Sequence, residues 1–129
     1  PRFTQSFGDN FSYVGLVSGK SKCDFLRSLD VLVMPTYFEG LPMSLLECMS
    51  YGIVPVITPV GSIPEVVVDG NNGLFIKVKD TDSIVDAISK INSDRKVLNK
   101  LSVNARETIF SKFSPQQYIS QLNMVYQKG

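Results

Sequence analysis

Three short runs of apolar residues, each set among segments of helical period, constrain this chain more than any other feature. Asp30-Val-Leu-Val-Met34 is nearly continuous and ends at Pro35, and Ile53 to Ile57 and Leu74 to Val78 are of the same kind. Unbroken apolar runs suit strands of a parallel sheet covered on both faces, since strands with one wet face would alternate. A further short strand is expected at Phe11 to Val14. Lys22 to Leu29 reads as a helix with Phe25, Leu26 and Leu29 inward. A second helix has Pro42 at its first position, where a missing N–H costs nothing, and Gly52 where a left-handed cap is expected. Ile63 to Val68 reads as a short helix and Asp69-Gly-Asn-Asn-Gly73 as a turn. Asp80 to Ile91 and Lys96 to Phe110 each carry one apolar stripe at three-and-four spacing. Ser114-Pro-Gln-Gln117 opens a last helix, with Tyr118, Ile119, Leu122, Val125 and Tyr126 inward. The sum is an α/β chain: a single Rossmann-like domain with a parallel sheet, helices on both faces and a helical C-terminus. Right-handed crossovers put the C-terminal ends of the strands on one edge, where open sheets bind ligands.

Composition narrows the functions. The 129 residues fit one domain, residues 1–129, with no repeat, low-complexity tract or linker dividing them. Pro1 to Gly8 read as a ragged lead-in. With 43% hydrophobic and 19% charged residues the chain is of globular type. Thirteen Lys and Arg against twelve Asp and Glu argue against a nucleic-acid surface, while leaving room for a local anion site. No apolar run approaches the roughly 18 residues of a membrane span, and no secretory signal opens the chain. Cys23 and Cys48 sit among core-type residues, as reduced, buried thiols in a reducing cytoplasm would. Histidine is absent, so no metal site is expected, and Ser–His or Cys–His chemistry would need a histidine from elsewhere.

The chemistry concentrates in Thr36-Tyr-Phe-Glu-Gly-Leu-Pro-Met-Ser-Leu-Leu-Glu47. Glu39 lies in the loop after a buried strand, and Glu47 eight positions on, in the following helix. Gly40 lets a ligand approach the backbone. The helix starting near Pro42 aims free N–H groups and a positive dipole end at the sheet edge, a ready site for phosphate. At about 100° per residue, Leu45, Cys48 and Met49 share a side and Glu47 points away, where its carboxylate can accept from two vicinal hydroxyls. On spacing alone, Glu47 reads equally as a solvated helix residue and Glu39 as a loop carboxylate. Glu65, in Gly61-Ser-Ile-Pro-Glu65, reads either as a turn residue or as a ligand contact from the next loop.

The order of the motifs decides between these readings. Asp30-Val-Leu-Val-Met-Pro, Glu39-Gly-Leu-Pro-x-x-Leu-Leu-Glu47, Gly52-Ile-Val-Pro-Val-Ile, Gly61-Ser-Ile-Pro-Glu-Val-Val and Asp69-Gly-Asn-Asn-Gly-Leu follow one another. This string resembles the C-terminal domain of family-four retaining glycosyltransferases, one half of the GT-B fold, from about Asn10 to Tyr126. The resemblance implies a UDP- or GDP-sugar donor, with Glu39 as the catalytic carboxylate at the donor sugar. It implies backbone N–H groups of Gly40 and Leu41, with Pro42, near sugar and diphosphate. Glu47 would take the ribose hydroxyls, and Gly15, Leu16 and Val17 the base. It implies no cofactor and no metal. The partners would be a glycan or glycolipid acceptor and the protein's own N-terminal domain, with any membrane contact made through that other domain at the inner face.

The match departs from the pattern in places. The Arg and Lys that usually grip the diphosphate lie upstream, in a segment this chain lacks or barely begins. Lys20 and Lys22 sit elsewhere in the pattern and read as a solvated helix start. Ser62 replaces the second residue of a usual Gly-Gly pair, where its hydroxymethyl either narrows the approach or fits the turn, as Ser often does. The chain is therefore expected to fold and bind donor weakly but not to transfer sugar alone. The alternatives are a non-catalytic binding module of the same fold and another Rossmann-like protein such as a dehydrogenase. The latter lacks support, because no G-x-G-x-x-G follows a strand.

Overall fold

The computed structural model describes residues 8–114, so the helix expected beyond Ser114 lies outside the described residues. A 3-10 turn at Gly8–Asn10 leads through an irregular stretch, 11–18, into α1 (Gly19–Arg27). Then come β1 (Val31–Met34), α2 (Met43–Ser50), β2 (Val54–Ile57), a 3-10 turn at Ile63–Glu65, β3 (Leu74–Phe75), α3 (Thr81–Ser93) and α4 (Arg95–Lys112). The strands are parallel in the order β1-β2-β3, with Val31 beside Val54 and Ile57 beside Phe75.

Every residue of the central strand β2 is buried, and apolar clusters cover it on two sides, with α4 contributing to both. Val54 and Val56 join Leu74 and Ile76 in packing on Ala87 and Ile91 of α3 and on Leu98 and Leu101 of α4. Ile57 packs on the opposite side with Leu45 and Met49 of α2, and with Ile63 and Val66. Full burial of side chains such as Leu45 and Met49 contributes about 2–3 kcal/mol each. Helix α4 closes the N-terminal edge of the sheet. Its Arg95 pairs with Asp30 before β1, Ser102 packs on Gly52 before β2, and Asn104 and Thr108 bond Asn71 and Asn72 before β3. The C-terminal edge is thereby left to the loops.

Several expected elements differ in extent. Phe11 to Val14 form no strand; Tyr13 and Val14 are exposed, so the segment has little side-chain burial to hold it extended. Helix α1 begins at Gly19, three residues before Lys22. Strand β3 stops at Phe75 because β2 ends at Ile57; Ile76 still donates to the Ile57 carbonyl, but the Lys77 N–H turns to Ser83 Oγ at 3.0 Å. Of the helix expected at Ile63 to Val68, only one 3-10 turn forms. Gly52 has the expected left-handed backbone, with φ of 79°.

Asp80 caps α3, its carboxylate accepting from the Ser83 N–H at 3.1 Å. Asp80→Ala is expected to destabilise the chain by about 1 kcal/mol, measurable by denaturant unfolding, because one helix-terminal N–H loses its acceptor.

Candidate functional site

The loops after β1 and β2 are locked together at the C-terminal edge. Thr58, fully buried, donates its hydroxyl to the Thr36 carbonyl at 2.6 Å, and its N–H reaches the Met34 carbonyl. Farther out, the Ser62 N–H donates to the Gly40 carbonyl at 3.1 Å. Gly61 has φ of 57°, and a Cβ there would lie 1.8 Å from the Glu39 carbonyl oxygen. The backbone of Glu39 therefore sits in the space that any side chain at 61 would fill. Ser62, by contrast, has φ of −88°, an ordinary conformation, so the serine fits this turn without backbone strain.

Helix α2 starts one residue later than expected. Pro42 is its cap, with φ of −70° and ψ of 126°, rather than its first helical residue. Proline supplies no side-chain acceptor, and no side-chain cap bond forms. The first N–H groups of α2, those of Met43 and Ser44, thus have no partner within the helix. They and the dipole's positive end lie at the same edge as the Glu39–Gly40 loop, an arrangement suited to a phosphate group. Gly40 is exposed, and nothing lies within 4 Å of where its Cβ would stand.

Glu47 lies off the core stripe of α2, as its spacing requires: Leu45, Cys48 and Met49 are buried, while its own side chain is 39% exposed. Glu39 is partly buried in its loop. Gly15, Leu16 and Val17 lie in the irregular stretch before α1; Leu16 is fully exposed and Gly15 has φ of 71°. Glu65 is exposed, and its carbonyl accepts from Lys112 Nζ at 3.2 Å.

The reading of Lys22 as a solvated helix start is corrected. Its ammonium lies 2.7 Å from Glu47 Oε1, bridging α1 to α2. The hydrogen bond that it donates to Glu47 raises the Lys22 pKa above the ordinary lysine value, so the ammonium stays charged through the neutral range. Lys20 does remain on the solvated face, paired with Asp24 one turn on. Sequence reasoning also missed Thr58 and Lys79. Lys79, which has a left-handed backbone, places its ammonium 5.7 Å from the Tyr37 ring centroid. With Pro35, Asp80 and Ile84 these two line an open cleft of 430 Å³, which neither Glu39 nor Glu47 lines. Cys23 and Cys48 are free thiols, Cys48 buried and Cys23 partly so; burial raises the Cys48 pKa and keeps that thiol protonated.

Among the described residues no three His, Cys, Asp or Glu side chains cluster as metal ligands, and no helix is long and apolar enough to cross a membrane. What remains is a Rossmann-like α/β unit whose open edge offers uncapped helix N–H groups and the glycine-lined backbone of the Glu39 loop, with Glu47 farther along α2. Chemically, such an edge can accept hydrogen bonds from hydroxyls and donate them to an anion.

Known proteins narrow the class. Residues 5–108 match the family model for glycosyl transferases group 1, and the chain belongs to that family. It is 29% identical over 103 residues to the UDP-Gal:alpha-D-GlcNAc-diphosphoundecaprenol alpha-1,3-galactosyltransferase of Escherichia coli. That match covers 80% of this chain and 26% of the relative. In fold the chain is similar to the sucrose-phosphate synthase of Thermosynechococcus elongatus, with a TM-score of 0.85 and 23% identity over 98% of this chain and 32% of that one. It is also similar to the C-terminal domain of a group 1 glycosyl transferase from Francisella tularensis. There the TM-score is 0.77 and the identity 23%, over 88% of this chain and 60% of that one. The architecture is that of GT-B glycosyltransferases.

Proposed function

We propose that residues 1–129 form the nucleotide-sugar-binding, C-terminal part of a retaining hexosyltransferase. The observation that carries this reading is the locked loop pair at the open sheet edge, which sets Glu39 and Gly40 beside the uncapped start of α2. In this reading the donor diphosphate lies against the α2 N-terminus and the N–H groups of Gly40 and Leu41, with Pro42 shaping the approach. Glu47 accepts from the ribose hydroxyls, and residues Gly15, Leu16 and Val17 border the base.

The chemistry follows from charge. As the glycosidic bond to the nucleoside diphosphate lengthens, negative charge grows on the leaving phosphate and positive charge on the anomeric carbon. Fixed N–H dipoles at the helix end stabilise the first, and the Glu39 carboxylate stabilises the second. Glu47, at the ribose, takes no part in bond breaking, so the two-carboxylate scheme of glycoside hydrolases does not apply. The acceptor and the remaining phosphate-gripping cations come from the rest of the protein, and this chain alone transfers no sugar. Exposed Leu16, Phe38 and Met43 on this rim support a second domain facing it. The relative's diphosphoundecaprenol acceptor supports a glycolipid or glycan acceptor and work at a membrane surface, reached through the other domain.

A ligand-observed NMR screen of the chain against UDP, GDP and their common sugars tests this. One nucleotide class is expected to bind, and Glu47→Ala to weaken it about tenfold, the value of hydrogen bonds to a charged acceptor. Silence toward both nucleotides at millimolar concentration, in this chain and in the full-length protein, overturns the reading.

A further inference from the structure

We infer that Lys22 is a positioning residue for nucleotide recognition, holding the Glu47 carboxylate in the orientation that meets a vicinal diol. The inference rests on the donor-site reading above. Lys22 stands on α1 and Glu47 on α2, so their 2.7 Å contact joins two helices. Both side chains are about two-fifths exposed, where an ion pair adds little to folding stability. Its effect is geometric. A glutamate on an open helix face samples many rotamers, and a diol needs both carboxylate oxygens presented in one plane. Lys22 Nζ lies against Oε1 and fixes the side chain's rotamer, and because each carboxylate oxygen has two lone pairs, both can still accept from the diol. The glycines of positive φ at 15 and 19 bring the chain into α1, so the residues assigned to the base lead directly into the helix that carries Lys22.

Titration calorimetry with UDP, GDP and their 2′-deoxy forms tests the assignment in the parent chain and in Lys22→Met, Lys22→Arg and Glu47→Ala. The parent is expected to prefer the ribonucleotide. Lys22→Met should cut ribonucleotide affinity about three- to fivefold, the most a half-exposed pair is worth, and leave 2′-deoxy affinity unchanged. Lys22→Arg should restore the preference to within about twofold. If Glu47→Ala removes the preference and Lys22→Met does not, the inference is overturned and the donor-site reading stands. If Glu47→Ala leaves the preference intact, the assignment of Glu47 fails and the role of Lys22 fails with it. A loss confined to Lys22→Met that falls equally on both nucleotide forms marks a purely structural pair and also overturns the inference.

Discussion

Gly61→Ala is expected to lower the unfolding midpoint by about 10 °C and to abolish nucleotide binding, whereas Gly40→Ala should impair binding alone. Two effects add at position 61. An alanine held at φ of 57° costs about 1–2 kcal/mol over glycine. Its Cβ would also stand 1.8 Å from the Glu39 carbonyl oxygen and 2.9 Å from that of Gly40, far inside van der Waals contact. These are backbone atoms, so relief requires the whole Glu39–Gly40 loop to retreat and break the Ser62-to-Gly40 hydrogen bond. Together these cost about 2–4 kcal/mol. The same retreat moves Glu39 away from the N-terminus of α2, which dissolves the proposed donor site. At Gly40 a Cβ meets nothing within 4 Å, so stability should stay within about 0.5 kcal/mol of the parent. Thermal unfolding and a nucleotide titration of both variants check the contrast. A Gly61→Ala chain that binds as the parent does would show that the loop lock has no part in the site.

The candidate site was legible in the sequence where it depends on local rules. Glu47 leaves the apolar stripe because of helical period alone, and its partial exposure follows. The loop after β1 falls at the C-terminal edge because parallel strands leave it no other place. What depends on a partner distant in sequence was not legible. Lys22 and Glu47 are twenty-five positions apart, and nothing in either helix says that their exposed faces meet. The need for glycine at 61 arises from a loop more than twenty residues earlier in the chain. Phe11 to Val14 has strand composition, but composition does not bury a segment, and Tyr13 and Val14 stay exposed. The proline at 42 misled by one residue, because a residue with fixed φ and no N–H serves as well at the cap as in the first turn.

Asn72 shows the same limit at the other end of the sheet, and Asn72→Ala is expected to destabilise the chain by about 2–4 kcal/mol while leaving nucleotide affinity unchanged. Asp-Gly-Asn-Asn-Gly reads as a turn, and turn residues usually face water. Here Asn71 is exposed and Asn72 is 1% exposed, a difference that two identical neighbouring residues cannot announce. The Asn72 amide is a hub. Its Oδ1 accepts from the Val68 N–H at 2.7 Å, and its Nδ2 donates to the Val66 carbonyl at 3.0 Å and to Thr108 Oγ1 at 2.9 Å. Alanine deletes three bonds at once, including the one to Thr108, and leaves the turn tied to α4 through the bond from Asn104 to Asn71. Asn72→Asp should be at least as damaging: it keeps the acceptor but turns both donors into a buried carboxylate oxygen facing the Val66 carbonyl. Because these bonds lie at the N-terminal edge, away from the Glu39–Gly61 lock, the variants should bind as the parent does below their unfolding midpoints. Affinity measured well below the midpoint, beside thermal unfolding, separates the two edges. Loss of nucleotide affinity in folded Asn72→Ala would mean that the edges are coupled through the sheet and that the site does not rest on its own loops alone.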